Sequence, residues 1–110
     1  MEDNPAVRHM IDIVLTSRGH LVLASESAAM ANSMLLDFPA APSVGVLDLI
    51  LTNDMDGLTY GGDLRERFPA IRLVYMTGWL DRPERAVAET RGLLLAKPFA
   101  LDDLIAAVES

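Results

Sequence analysis

Three strand-like runs in this chain end on residues suited to handling a phosphoryl group. Asp48 closes Val44-Gly45-Val46-Leu47, Thr77 closes Leu73-Val74-Tyr75-Met76, and Lys97-Pro98 follows Leu93-Leu94-Leu95-Ala96. An acidic pair, Glu2-Asp3, stands directly before a helix start. Open α/β sheets collect their ligands at the carboxyl ends of the strands. An acid pair, a single carboxylate, a hydroxyl and an ammonium brought to one such edge make a phosphoryl-binding constellation. A carboxylate can take the group as a covalent aspartyl-phosphate. The transfer itself needs positioning and charge neutralisation more than covalent help.

The elements that must position these residues alternate between helix and strand. Asn4 is a good N-cap and Pro5 a good first helical residue. The helix they start runs to about Ser17, with Val7, Met10, Ile11, Val14 and Leu15 on one face, and Gly19 stops it. Leu21-Val22-Leu23-Ala24 reads as a short strand. Ser25 or Ser27 caps a second helix from Ala28 to about Leu36, which ends before Phe38-Pro39. The Asp48 strand follows, then a turn at Thr52-Asn53-Asp54-Met55-Asp56-Gly57 in which Asp54 and Asp56 are solvated turn residues. Gly57 to Arg67 reads as a helix, although Gly61-Gly62 inside it costs about 1 kcal/mol per glycine against Ala. Ile71 to Met76 is a strand, Pro83 to about Thr90 a short helix, Leu93 to Ala96 a strand, and Leu101 to Val108 a last amphipathic helix. Short continuous apolar strands suit a parallel sheet covered on both faces.

Bulk properties narrow the classes. The 110 residues make one domain, 1–110, with a real core. The apolar fraction of 51% excludes a disordered chain. With no cysteine, disulfide scaffolds and thiolate metal sites are excluded, which fits the cytoplasm. No apolar stretch reaches the roughly 18 residues that span a bilayer, so no membrane role is expected. A net charge of −7 argues against nucleic-acid binding. Only His9 and His20 are present, neither at a strand end, so a histidine-based nucleophile or metal site is not expected.

Glu2-Asp3-Asn4-Pro5, Asp48, Met76-Thr77-Gly78 and Lys97-Pro98-Phe99 together resemble the receiver domain of two-component response regulators. The resemblance runs from Glu2 onward. Each motif is weak alone; the ordered set is specific. It implies a flavodoxin-like α/β fold, a doubly wound parallel sheet. It implies Asp48 as phosphoacceptor and a Mg²⁺ ion, which takes oxygen ligands and keeps several waters. Asp3 would bind the metal directly, Glu2 through water, and the backbone carbonyl of Ile50 would complete the protein ligands with Asp48. Lys97 would pair with phosphoryl oxygens as a point charge, and the Thr77 hydroxyl would turn toward them and draw its loop inward. The implied donor is a sensor histidine kinase or phosphotransfer protein, and the implied output a change in partner binding. The domain would be an acceptor, not an enzyme. Because the sequence closes on its last helix, no attached output domain is expected.

Departures from the pattern qualify these expectations. The turn after Asp48 lacks the usual proline. The position three before the lysine is usually aromatic and here is Leu94, so an aromatic rotamer switch is absent. Met76-Thr77-Gly78-Trp79 resembles a Thr-Gly-aromatic subclass of single-domain regulators and hybrid-kinase receivers; Trp79 and Leu94 are assigned to the partner surface. The first strand of such a sheet, central in the order 2-1-3-4-5, is missing before Glu2. Its loss leaves a gap of roughly 10 Å between flanking strands, with truncation, direct pairing of the flanking strands, or strand donation, including from a homo-oligomer, as explanations. A second function class therefore stands beside the first: a degenerate receiver acting as a phosphorylation-independent interaction module. A small metal-dependent phosphatase is disfavoured, because a second acid two residues past the nucleophile is replaced by Ile50.

Overall fold

A computed structural model describes residues 1–49, 56–78 and 92–110. Four helices and three strands lie within them: α1 (Pro5–Ser17), α2 (Ala28–Leu36), β1 (Val44–Asp48), α3 (Gly57–Arg67), β2 (Arg72–Thr77), β3 (Leu93–Ala96) and α4 (Leu101–Glu109). The expected Pro83–Thr90 helix lies outside the described residues. The strands form a parallel sheet in the order β1-β2-β3. Val44 pairs with Arg72 and Asp48 with Met76; on the other side Val74 pairs with Leu93 and Thr77 with Ala96. This register brings all three carboxyl ends to one edge.

Helices cover both faces, as the continuous apolar strands require. Ile11 and Leu15 of α1 and Leu104 and Val108 of α4 close over Met76 on one face. Ala28 of α2 and Tyr60 and Leu64 of α3 pack on Leu47, Leu73 and Tyr75 on the other. Local chemistry sets the helix ends. The Asn4 side chain accepts from the N–H groups of Ala6 and Val7, Ser27 caps α2 through Met30 N–H, and Gly19, at φ +89°, turns the chain out of α1. Asp56 caps α3 by accepting from Thr59 N–H at 2.8 Å, so it is a capping residue and not merely a solvated turn acid. The Arg72 guanidinium donates to the carbonyls of Ala107 and Val108 and so caps the far end of α4.

The α3 glycines separate on inspection. A Cβ on Gly61 would run into the ring and hydroxyl of fully buried Tyr75, whereas one on Gly62 would meet nothing within 4 Å. Gly61 is thus a packing requirement and Gly62 is not.

One expected strand is not formed. Residues 21–24 carry no regular secondary structure and lie outside the sheet, and Leu21 is 78% exposed. A strand is stabilised by a ladder, and among the described residues no strand pairs with this segment. Met1 and Glu2 lie between it and β1. The Met1 amino group donates to Val46 O at 2.7 Å and Asp48 N–H donates to Met1 O at 2.9 Å, which is the parallel ladder pattern. On the opposite side Glu2 N–H donates to Ser25 O at 3.0 Å. The flanking segments have not closed against each other. Between them lies a cavity of about 390 Å³.

Candidate phosphoryl-acceptor site

Asp48 sits at the carboxyl end of β1, buried, with Thr77 buried at the end of β2 and Lys97 one residue past β3. Lys97 N–H donates to Thr77 O at 2.6 Å, so the chain leaving β3 is fastened to the end of β2. The Lys97–Pro98 peptide is cis. The Lys97 ammonium then reaches across the sheet edge. It donates to Asp48 Oδ2 at 3.0 Å and to Glu2 Oε1 at 2.6 Å. Three of the expected residues are therefore in direct contact, drawn from chain positions 95 residues apart.

The acid pair is placed by main-chain bonds. Asp48 N–H holds Met1 O, Ser25 O holds Glu2 N–H, and the Arg8 guanidinium donates to the carbonyl of Glu2 at 3.0 Å and of Asp3 at 3.4 Å. Sequence reasoning missed Arg8 and Ser25. A signal for Arg8 was present: a cation one turn into α1 can fold back on the residues preceding the helix. Ser25 acts through its carbonyl, which no residue type announces. Gly57 was read only as a helix start. A Cβ there would collide with the backbone carbonyl of Asp48, so glycine lets α3 begin against the acceptor strand.

Electrostatics at this edge are strained toward neutrality. Glu2 is 2% exposed, and its Oε2 has no hydrogen-bond partner among the described residues. Burial, reinforced by a hydrogen bond with Asp48 and opposed by Lys97, raises the Glu2 carboxyl from 4.5 to about 7. Burial pulls the Lys97 pKa down, but its bonds to Glu2 and Asp48 outweigh that and hold it above the usual lysine value. Burial also lowers the Met1 amino group from 8.0 to about 6.

Ligand oxygens of Glu2, Asp3 and Asp48 all lie within 4.8 Å of one another. Hard oxygen donors with water-accessible space suit a hard divalent cation. The buried, unpartnered Glu2 Oε2 fits as well, since a cation would satisfy it. Of the remaining expected site residues, Ile50 and Trp79 lie outside the described residues. Leu94 is half-buried and packs against the core on the Tyr75 face.

The family model for the response regulator receiver domain matches residues 1–109. The chain belongs to that family. It is 29% identical over 113 residues to the virulence transcriptional regulatory protein PhoP of Salmonella typhimurium and 28% identical over 111 residues to the DNA-binding transcriptional regulator NtrC of Proteus hauseri. These alignments take in 100% and 99% of this chain but span only 49% and 23% of those relatives. Among solved structures, a response regulator receiver protein from Sinorhizobium medicae superposes with a TM-score of 0.83 at 30% identity, covering 98% of this chain and 86% of that one. This receiver is thus a flavodoxin-like phosphoacceptor domain of two-component signalling, with three strands paired among the described residues. No helix among the described residues is long and apolar enough to cross a membrane.

Proposed function

We propose that Asp48 is the residue that accepts the phosphoryl group, with Glu2, Asp3, Asp48 and the Ile50 carbonyl holding Mg²⁺ and with Lys97 and Thr77 receiving the phosphoryl oxygens. One observation carries the reading: the Lys97 ammonium shared between Asp48 and Glu2 at the carboxyl edge of the sheet. It sets a fixed positive charge beside a buried carboxylate, where the transferred group's negative charge must be held. Mg²⁺, when bound, neutralises the repulsion between the Asp48 carboxylate and the incoming phosphoryl oxygens.

The chain's own residues do the rest. In the transfer, the P–N bond of a phosphohistidine breaks and a P–O bond to Asp48 forms; the imidazole keeps the electron pair and takes a proton from solvent. Lys97 exchanges its bond to Asp48 Oδ2 for bonds to the new phosphoryl oxygens. The Thr77 hydroxyl turns onto the same group, and the loop it leads, with Trp79, changes shape as the signal. Leu94, paired with Tyr75 in the strand beside that loop's strand, supplies bulk without an aromatic switch. The donor is a sensor histidine kinase or phosphotransfer protein in the cytoplasm. The domain accepts and passes on a group and does not turn over a substrate of its own.

The degenerate-receiver reading gains no support, because Glu2, Asp48 and Lys97 are assembled in bonding contact. The test is intact-mass measurement after incubation with a small-molecule acyl phosphate and Mg²⁺. The wild-type chain should gain one phosphoryl group and Asp48→Asn none. A variant that gains as much as wild type would overturn the assignment.

A further inference from the structure

Arg8 stands among acids and pairs with none of them. Glu2 and Asp3 precede it, and Asp12 follows one turn on in α1. Among the described residues, however, its guanidinium forms no ion pair. It turns back past the start of α1 and gives a single nitrogen, Nη1, to the main chain, at 3.0 Å from the carbonyl of Glu2 and 3.4 Å from that of Asp3. A guanidinium beside a carboxylate ordinarily takes it in a forked pair. Such a pair with Glu2 or Asp3 would occupy the oxygens that a cation needs. Bonding to the carbonyls instead leaves those oxygens free, and ligand oxygens of Glu2, Asp3 and Asp48 lie within 4.8 Å of one another. The Glu2 N–H is held from the other side by Ser25 O, so Glu2 is tied at both of its peptide groups.

We propose that Arg8 is a positioning residue for the phosphoryl-transfer metal: its grip on the Glu2 and Asp3 carbonyls presets the acid pair, so that a divalent cation meets oxygens already assembled. The proposal rests on the metal-binding reading given above and adds a residue that never touches the ion. Charge alone predicts the reverse effect. A guanidinium near a cation site repels the incoming ion, so its removal by itself tightens binding. Positioning predicts that removal loosens binding, because groups that orient metal ligands are typically worth roughly ten- to a hundredfold in affinity. The two effects differ in sign, which makes the role of Arg8 measurable. The carbonyl bonds also come from one nitrogen and not from the two arms of the fork. An ammonium can therefore stand in for it, which it could not do at a forked carboxylate pair.

The experiment titrates Mg²⁺ into the wild-type chain, Arg8→Met and Arg8→Lys, following the Asp48 amide by NMR, with urea unfolding in metal-free buffer alongside. Arg8→Met keeps an apolar stem and loses donor and charge; Arg8→Lys keeps both. Arg8→Met should bind Mg²⁺ about tenfold more weakly, and Arg8→Lys should recover most of that loss. Phosphorylation by an acyl phosphate should follow suit, needing more Mg²⁺ for half its maximal rate while the rate at saturating Mg²⁺ stays unchanged. Tighter binding by Arg8→Met would show that its charge alone is felt at the site and would overturn the proposal. Equal affinity in all three chains, even with a lower urea midpoint for Arg8→Met, would leave Arg8 a purely structural tie and would overturn it too. So would an Arg8→Lys chain as weak as Arg8→Met. A wild-type chain that does not respond to Mg²⁺ would instead overturn the metal-binding reading, and this proposal with it.

Discussion

The two edges of β1 have unequal fates. Toward β2 the register is continuous from Val44–Arg72 to Asp48–Met76. Away from β2, among the described residues, the same strand bonds to Met1 and then borders a cavity of about 390 Å³. Yet the polar site stands at the end of this half-open strand, complete enough for Lys97 to reach both Glu2 and Asp48. The difference shows what each part depends on. The site depends on where the strands end, and Met1, Ser25 and Arg8 suffice to hold the acid pair there. Core stability depends on the ladder along the whole strand, and there the open edge costs.

The sharpest way to break the comparison is to remove bulk from each side. Leu73→Ala, on the closed side and 2% exposed, should lose about 2–5 kcal/mol in urea unfolding. Leu21→Ala, beside the cavity and 78% exposed, should change stability by less than about 0.5 kcal/mol. Equal losses would mean that residues 21–24 are as well packed as β2.

Overpacking on the closed side is the next largest effect. Gly61→Ala should cost about 1–3 kcal/mol by displacing Tyr75. Gly62→Ala, one residue on and open to space, should instead gain up to about 1 kcal/mol. Thermal unfolding of both variants decides whether the glycine pair has the divided role described.

A pH series sharpens the contrast at the junction of the two regions. The folded chain holds the Glu2 proton up to about pH 7, against 4.5 when unfolded, so metal-free stability falls as pH rises from about 4.5 to 7. The Met1 amino group works the other way. Its folded value of about 6 lies below the unfolded 8.0, so stability rises from about pH 6 to 8. The curve should therefore dip between about pH 6 and 7. Glu2→Gln should abolish the acid-side fall, and Mg²⁺ binding should weaken as pH drops below 7, because the cation needs Glu2 ionised. A monotonic curve in wild type would contradict the buried placement of the Glu2 carboxyl.

The smallest expected effect is at the Tyr75 hydroxyl, which has no hydrogen-bond partner among the described residues. Tyr75→Phe should leave stability unchanged or raise it by about 1 kcal/mol. A loss of more than that would show that the hydroxyl is satisfied.

Much of this arrangement was legible in the sequence because local signals and the global fold agree. Ala28–Leu36, Gly57–Arg67 and Leu93–Ala96 form where caps, breakers and apolar runs place them. Asp48, Thr77 and Lys97 converge because parallel strands must end on one side. What was not legible depends on partners rather than residue types. Leu21–Ala24 has a strand's composition, but composition without a neighbouring ladder does not make a strand. Arg8 and Ser25 act on or through carbonyls, which every residue has. Gly61 looks like a helix weakness until Tyr75 is seen against it. Asp56 looks like any turn acid until Thr59 N–H is seen at its carboxylate.

β1 has one closed edge and one open edge, and its end carries the site. Native-state amide exchange along β1 in the 110-residue chain tests this most directly. Gly45 and Leu47, bonded toward β2, and Asp48, bonded to Met1 O, should be protected, while Val44 and Val46 exchange much faster. Uniform protection from Val44 to Asp48 would contradict it and would show that the open edge is filled.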